Sequence, residues 1–123
     1  MKRASTALVA AAVAAGVVGA AFARTAAPPV LRGTVGPGYT ISLKMNGKTV
    51  KTLKAGRYKF VVSDKSSIHN FVVEQESGGK FEKDLTDVSS TGTKSVTLSL
   101  KKGKWKYYCK VHESTMFGFF NVK

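Results

Sequence analysis

The chain has 123 residues, with 20 Lys and Arg against 7 Asp and Glu, a formal net charge of +13 at pH 7. A single cysteine excludes an internal disulfide, and two histidines are too few for a metal centre built from many imidazoles. What remains is one small, basic domain whose core must hold without covalent staples.

At the start, Lys2 and Arg3 precede an Ala/Val/Gly run over residues 7–21, closed by Ala21-Phe22-Ala23. A basic start, an apolar stretch and a small-x-small site predict a signal peptide over residues 1–23. Ala and Gly are weakly hydrophobic for a permanent span, although the length is borderline for an uncleaved anchor, which is the alternative. Cleavage leaves a mature chain with no membrane span, placed outside the cytoplasm in the periplasm, at the cell envelope or beyond it. Residues 24–37 hold all three prolines and have no apolar period, which predicts a flexible tether ahead of a domain over residues 38–123.

From Gly38 onward, short strand-like runs alternate with turn signals: residues 39–45, an Asn46-Gly47 turn, residues 48–53, Ala55-Gly56, and residues 57–63. Residues 69–74 follow, then a polar stretch over 75–93, then strands over 94–100, 104–110 and 117–123. Seven to eight short strands without a helical period predict an all-β fold, a two-sheet sandwich. Alternate side chains of a strand share a face. Trp105, Tyr107 and Cys109 therefore form one inward row, His69 shares parity with Phe71 and Val73, and Tyr58, Phe60 and Val62 form a further apolar row.

The chemistry sits near the end. Cys109, His112 and Met116 form a C-x2-H-x3-M pattern before the last strand, and the other histidine, His69, lies forty residues upstream of the cysteine. A thiolate, two imidazoles and a thioether form a complete ligand set for copper, because soft sulfur stabilises Cu(I) while imidazole suits Cu(II). An exported thiol with nothing in the chain to pair with needs an occupation, and metal ligation supplies one. The alternatives are an inert buried thiol or an intermolecular disulfide for Cys109, and core filling for Met116.

Lys65-Ser66-Ser67-Ile68-His69-Asn70-Phe71, taken with Tyr108-Cys109-Lys110-Val111-His112-Glu113-Ser114-Thr115-Met116-Phe117-Gly118, resembles the cupredoxin family, most of all its small plastocyanin-like bacterial members. The resemblance extends over about residues 35–123. It implies a Greek-key β-sandwich holding one type-1 (blue) copper, with His69, Cys109 and His112 as equatorial ligands and Met116 as the axial one. It also implies that the Asn70 side chain ties the two ligand-bearing loops together. Val111 stands where many relatives place proline, and Phe117 stands at a position that is often polar; neither departure removes a ligand.

The function implied is a one-electron shuttle between redox partners, not an enzyme. Copper carriage or storage with the same residues is the alternative. A thiol enzyme using Cys109 with His112 as base leaves His69 and Met116 without a role. A metal-free adhesive sandwich leaves the ligand set as coincidence. Loss of Lys2 and Arg3 takes the net charge from +13 to +11, a strong field for so small a domain. It suits a monomer that docks on an acidic redox protein or an anionic envelope surface. Nucleic acid is not expected, since the lysines are scattered on alternate strand positions and no nucleic-acid motif is present.

Overall fold

The computed structural model describes residues 26–123, so the expected signal peptide lies outside the described residues. Ten strands follow in chain order: β1 (Val30–Val35), β2 (Ile41–Met45), β3 (Lys48–Thr49), β4 (Thr52–Leu53), β5 (Gly56–Asp64), β6 (Val72–Gln75), β7 (Phe81–Asp84), β8 (Gly92–Leu100), β9 (Gly103–Tyr108) and β10 (Phe117–Val122). The first sheet runs β3-β2-β1-β5-β8 and the second β4-β10-β9-β6-β7. Both are mixed, because β1 lies parallel to β5 and β4 parallel to β10 while the other neighbours are antiparallel. Among the described residues the one helical turn is a 3-10 turn, Lys110–His112, and no helix is long and apolar enough to cross a membrane.

Period-2 patterning builds the sandwich. In β5, Tyr58, Phe60 and Val62 point into the core while Arg57 and Lys59 point out, and β8 answers with Leu98 and Leu100 inward. In β9, Trp105 and Tyr107 are buried inward, and Cys109 continues the row fully buried. Leu31, Leu43, Phe60, Phe71, Trp105 and Phe120 fill the interior between the sheets. Trp105 stacks on Phe120 with ring centroids 6.1 Å apart and donates its indole N–H to the Lys101 carbonyl at 2.9 Å, so its one polar atom is satisfied. Gly118 lies opposite Tyr107 in the β9–β10 ladder, and a Cβ there would overlap the Tyr107 ring. Glycine at 118 thereby lets Tyr107 lie flat and stack on Phe71, with centroids 5.7 Å apart and planes 7° apart.

Three features depart from the sequence expectation. Within the expected tether over residues 24–37, Val30–Val35 forms β1, in the middle of the first sheet, with Leu31 and Val35 fully buried. Pro28, Pro29 and Pro37 flank the strand without interrupting it, so a ladder needing every N–H survives. They hide an alternation in which Leu31, Gly33 and Val35 face in. Residues 48–53, expected as one strand, divide into β3 in the first sheet and β4 in the second. The crossing is anchored by Val50 N–H on the Leu43 carbonyl at 3.0 Å and Asn121 N–H on the Lys51 carbonyl at 2.9 Å. The polar stretch over 75–93 contains β7, an edge strand exposed at all four positions and therefore without alternation to read.

Candidate metal centre

Three loops converge at the end of the sandwich where β1, β5 and β9 run out. The β5–β6 loop supplies His69. Its approach is shaped by side-chain turns: Ser66 N–H donates to the Asp64 carboxylate at 3.1 Å, and Ile68 N–H donates to the Ser66 hydroxyl at 3.3 Å. Just beyond His69, Phe71 N–H donates to the Thr86 hydroxyl at 2.9 Å, and the Phe71 carbonyl accepts from Leu85 N–H at 2.7 Å. Both ends of the segment bearing His69 are thus held.

The β9–β10 loop supplies the other ligands. Cys109 N–H donates to the Met116 carbonyl at 3.0 Å, closing the loop as one further rung of the β9–β10 ladder. Inside it, the Cys109 carbonyl accepts from His112 N–H at 3.1 Å, and the His112 carbonyl accepts from Met116 N–H at 2.8 Å. The tight turn made by the C-x2-H spacing turns the Cys109 and His112 side chains toward the same point. Across the gap, the Asn70 side-chain oxygen accepts Lys110 N–H at 2.8 Å. The residue expected to tie the two loops does form a bond between them. Lys110 also pairs with Asp84 of β7 at 2.9 Å, and that carboxylate raises the lysine pKa.

The donor atoms form a compact triangle. His69 Nδ1 and His112 Nδ1 are 3.0 Å apart, and each is 3.8 Å from Cys109 Sγ. Metal–imidazole bonds are about 2.0 Å long and metal–thiolate bonds about 2.3 Å. A point in the plane of the three atoms that is about 2.0 Å from both nitrogens lies about 2.2 Å from the sulfur. The triangle therefore fits a trigonal ion with no movement of its ligands. Cys109 and His69 are buried, while His112 is half-buried and alone reaches toward solvent. Met116 is buried at the end of the same loop, among the core residues.

One member of the site escaped the sequence reading. Tyr39, in the β1–β2 loop, sets its ring 5.4 Å from that of His69 and 5.0 Å from that of His112, edge-on to the latter. It is 63% exposed. The loop is closed below it by Gly36 N–H on the Thr40 carbonyl at 2.9 Å and the Thr40 hydroxyl on the Pro37 carbonyl at 3.1 Å. No local pattern marks Tyr39, because its partners lie in two loops distant in sequence.

The electrostatics beside the site come from the second sheet. The Tyr108 hydroxyl donates to the Glu82 carboxylate across the β9–β6–β7 surface, and Lys106 lies 5.2 Å over the Tyr108 ring. Burial and the bond to Glu82 hold the phenol well above its ordinary pKa. Tyr108 faces outward, as its parity requires, yet is buried beneath this cover.

Residues 34–123 match the family model described as copper binding proteins, plastocyanin/azurin family. No curated protein sequence matches the chain significantly. Among solved structures, auracyanin A, a "blue" copper protein from the green thermophilic photosynthetic bacterium Chloroflexus aurantiacus, is similar at 16% identity. The match covers 79% of this chain and 100% of that one, with a TM-score of 0.55. Rusticyanin from Thiobacillus ferrooxidans is similar at 20% identity over 76% of each chain, with a TM-score of 0.50. Reduced rusticyanin is similar at 17% identity over 76% of this chain and 78% of that one, with a TM-score of 0.53. These likenesses establish the sandwich; the family match, over most of the chain and through the whole His-Cys-His cluster, establishes copper. The chain belongs to the plastocyanin/azurin family of copper-binding proteins, and is a cupredoxin with a type-1 copper site.

Proposed function

We propose that the protein is an exported one-electron carrier whose copper is held by His69, Cys109 and His112, with the Met116 thioether as a fourth, weaker ligand. The observation that carries this reading is the convergence of three donor atoms, 3.0 and 3.8 Å apart, in a site closed to water except at His112. When bound, copper supplies a Cu(I)/Cu(II) couple that the mixed sulfur and imidazole donors serve in both states.

The protein's contribution is rigidity and access. Cys109 and His69 keep their donor atoms in the dry interior, and the Asn70 bond to Lys110 fixes the two loops that carry them. Because the donors already stand at bonding separations, a change of charge at the centre has few atoms to move. His112 is the route to the surface. Around it stand Tyr39, Ile68 and Val111, 63%, 54% and 56% exposed, one from each of the three loops. A small apolar patch of this kind suits a brief encounter with a redox partner. The basic charge favours an acidic partner, met by a monomer outside the cytoplasm.

Copper carriage is the second reading, and the buried thiol weighs against it. Handing over an ion requires ligands to open toward an incoming donor, and only His112 reaches the surface. The deciding experiment is a visible titration with Cu(II), followed by cycles of reduction and oxidation against a small redox protein. An intense thiolate-to-copper band saturating at one copper per chain and surviving repeated cycles supports the carrier. Colourless binding, or release of copper at each reduction, overturns it.

A further inference from the structure

The carboxylates of this chain are sorted by sheet, while lysines lie on both. Residues 26–63 contain seven Lys and Arg and no Asp or Glu; the first carboxylate of the chain is Asp64. Asp64 is the one carboxylate in the strands of the first sheet, and it is buried. The outer face of that sheet presents Arg32, Lys44, Arg57 and Lys59, all exposed. None of the four forms an ion pair among the described residues, where the three ion pairs fall on Lys94, Lys106 and Lys110. The other acids, Glu74, half-buried, and Glu76, Glu82, Asp84, Asp87 and Glu113, exposed, come later in the chain, in the second sheet and the loops beyond it.

On this basic face lies a groove of about 620 Å³, and no carboxylate lines it. Arg32 and Lys44 are direct partners across the β1–β2 ladder, so their cations stand side by side in it. Thr34 and Ser42, the next outward pair on the same ladder, add hydroxyls, and Asn46 adds an amide at the turn. The groove runs along the sheet toward the Asn46-Gly47 turn, away from the loop bearing Tyr39 at the copper end.

We propose that this groove and the face around it bind an anionic polysaccharide, with Arg32 and Lys44 pairing with its charged groups and Thr34, Ser42 and Asn46 bonding its hydroxyls. The chemistry of the face selects this occupant. A membrane-docking face needs aromatic or large aliphatic groups to enter the lipid, and here Val30, 37% exposed, is the one large apolar group so exposed. Protein interfaces are enriched in aromatic anchors at their centre, and single-stranded nucleic acid is held on stacking rings; this face has no aromatic side chain to serve either. What it offers is unpaired cations among hydroxyls along an open groove. A polymer held there leaves Tyr39, His112 and Val111 free, so binding and electron exchange occupy different sides of the molecule.

The test uses the copper-loaded full chain and immobilised dextran sulfate, with neutral dextran as reference. The double variant Arg32→Glu/Lys44→Glu is expected to weaken binding by about tenfold or more, with Arg32→Gln/Lys44→Gln intermediate. A double variant of equal charge on the other sheet, Lys80→Glu/Lys83→Glu, is expected to change it less than about twofold. The blue band reports that each variant is folded. If the reversal does not fold, the glutamine pair carries the test. Equal losses in both reversals, undiminished binding in the groove variants, or equal retention on neutral dextran would overturn the proposal. Binding to phosphatidylglycerol vesicles without binding to dextran sulfate would overturn it in favour of a lipid surface.

Discussion

The Asn70 side chain and the Lys110 backbone meet at 2.8 Å, so the residue after the first histidine holds the residue after the cysteine. Two ligand loops forty residues apart in sequence are locked by one bond made by a residue that touches no metal. Replacing Asn70 by Ala strands the Lys110 N–H, at a cost of about 1–2 kcal/mol. Asn70→Ala is expected to lower the melting temperature of the metal-free protein and to speed copper loss to a chelator. Asn70→Asp keeps the acceptor and should recover much of both. Unchanged chelation kinetics in the alanine variant would show that the loops hold without this bond.

Cys109 supplies the sulfur of the donor triangle and is fully buried. Cys109→Ser keeps the shape of the site but offers a hard oxygen in place of soft sulfur. The intense visible band is expected to vanish while the fold, read by circular dichroism, persists. An intense blue band retained by this variant would refute the ligand assignment.

Met116 separates two roles cleanly, because it is both the expected axial ligand and a buried side chain of the core. As a ligand, Met116→Gln retains copper while shifting the spectrum and the reduction potential, and Met116→Leu shifts the potential with little loss of stability. As core filler alone, Met116→Leu changes neither spectrum nor potential. Paired voltammetry and absorption spectra of the two variants decide between them.

Gly118 has no room for a side chain beneath Tyr107. Gly118→Ala should force that ring off Phe71, costing about 1–3 kcal/mol as overpacking generally does. For a domain of this size that corresponds to a fall in melting temperature of roughly 4–8 °C per kcal/mol. A variant melting with the parent would show that the Tyr107 ring has space to tilt.

Stability at high pH is set partly by two phenols. Burial raises the pKa of Tyr107, and burial together with Glu82 raises that of Tyr108. Unfolded, both titrate near 10. Their contribution is present in full below pH 10 and is lost as the pH rises through the raised folded values, because only the unfolded chain ionises there. Urea midpoints are expected to fall as the pH climbs above 10, and less steeply in Tyr108→Phe. Parallel pH profiles for parent and variant would remove Tyr108 from the account.

Much of this was legible in the chain because it rests on local spacing. Trp105, Tyr107 and Cys109 alternate with Lys104 and Lys106, and that parity alone sends the thiol inward. The C-x2-H-x3-M pattern fixes a tight turn, so Cys109 and His112 converge whatever the rest of the fold does. The unread parts depend on partners far away. β1 was hidden by flanking prolines and is a strand by virtue of β2 and β5 on either side. β7 shows no apolar period because it is an exposed edge, held by β6 and by the Tyr108–Glu82 and Lys110–Asp84 contacts. Tyr39 carries no signal until three loops are brought together.

The strand that follows the donor loop is tied to a segment far upstream: β10 lies between β4 and β9, and Lys123 N–H reaches the Leu53 carbonyl at 2.9 Å. Pairings of such long sequence separation form late and slowly. The Cys109–Met116 rung is an extension of the β9–β10 ladder, so the donor triangle takes shape only when that hairpin has found its place. Metal ligation at full affinity therefore requires the paired β9–β10 hairpin and the β5–β6 loop in place together. It stabilises the finished sandwich over partly assembled forms, and the appearance of colour reports that both sheets and the loops between them have come together.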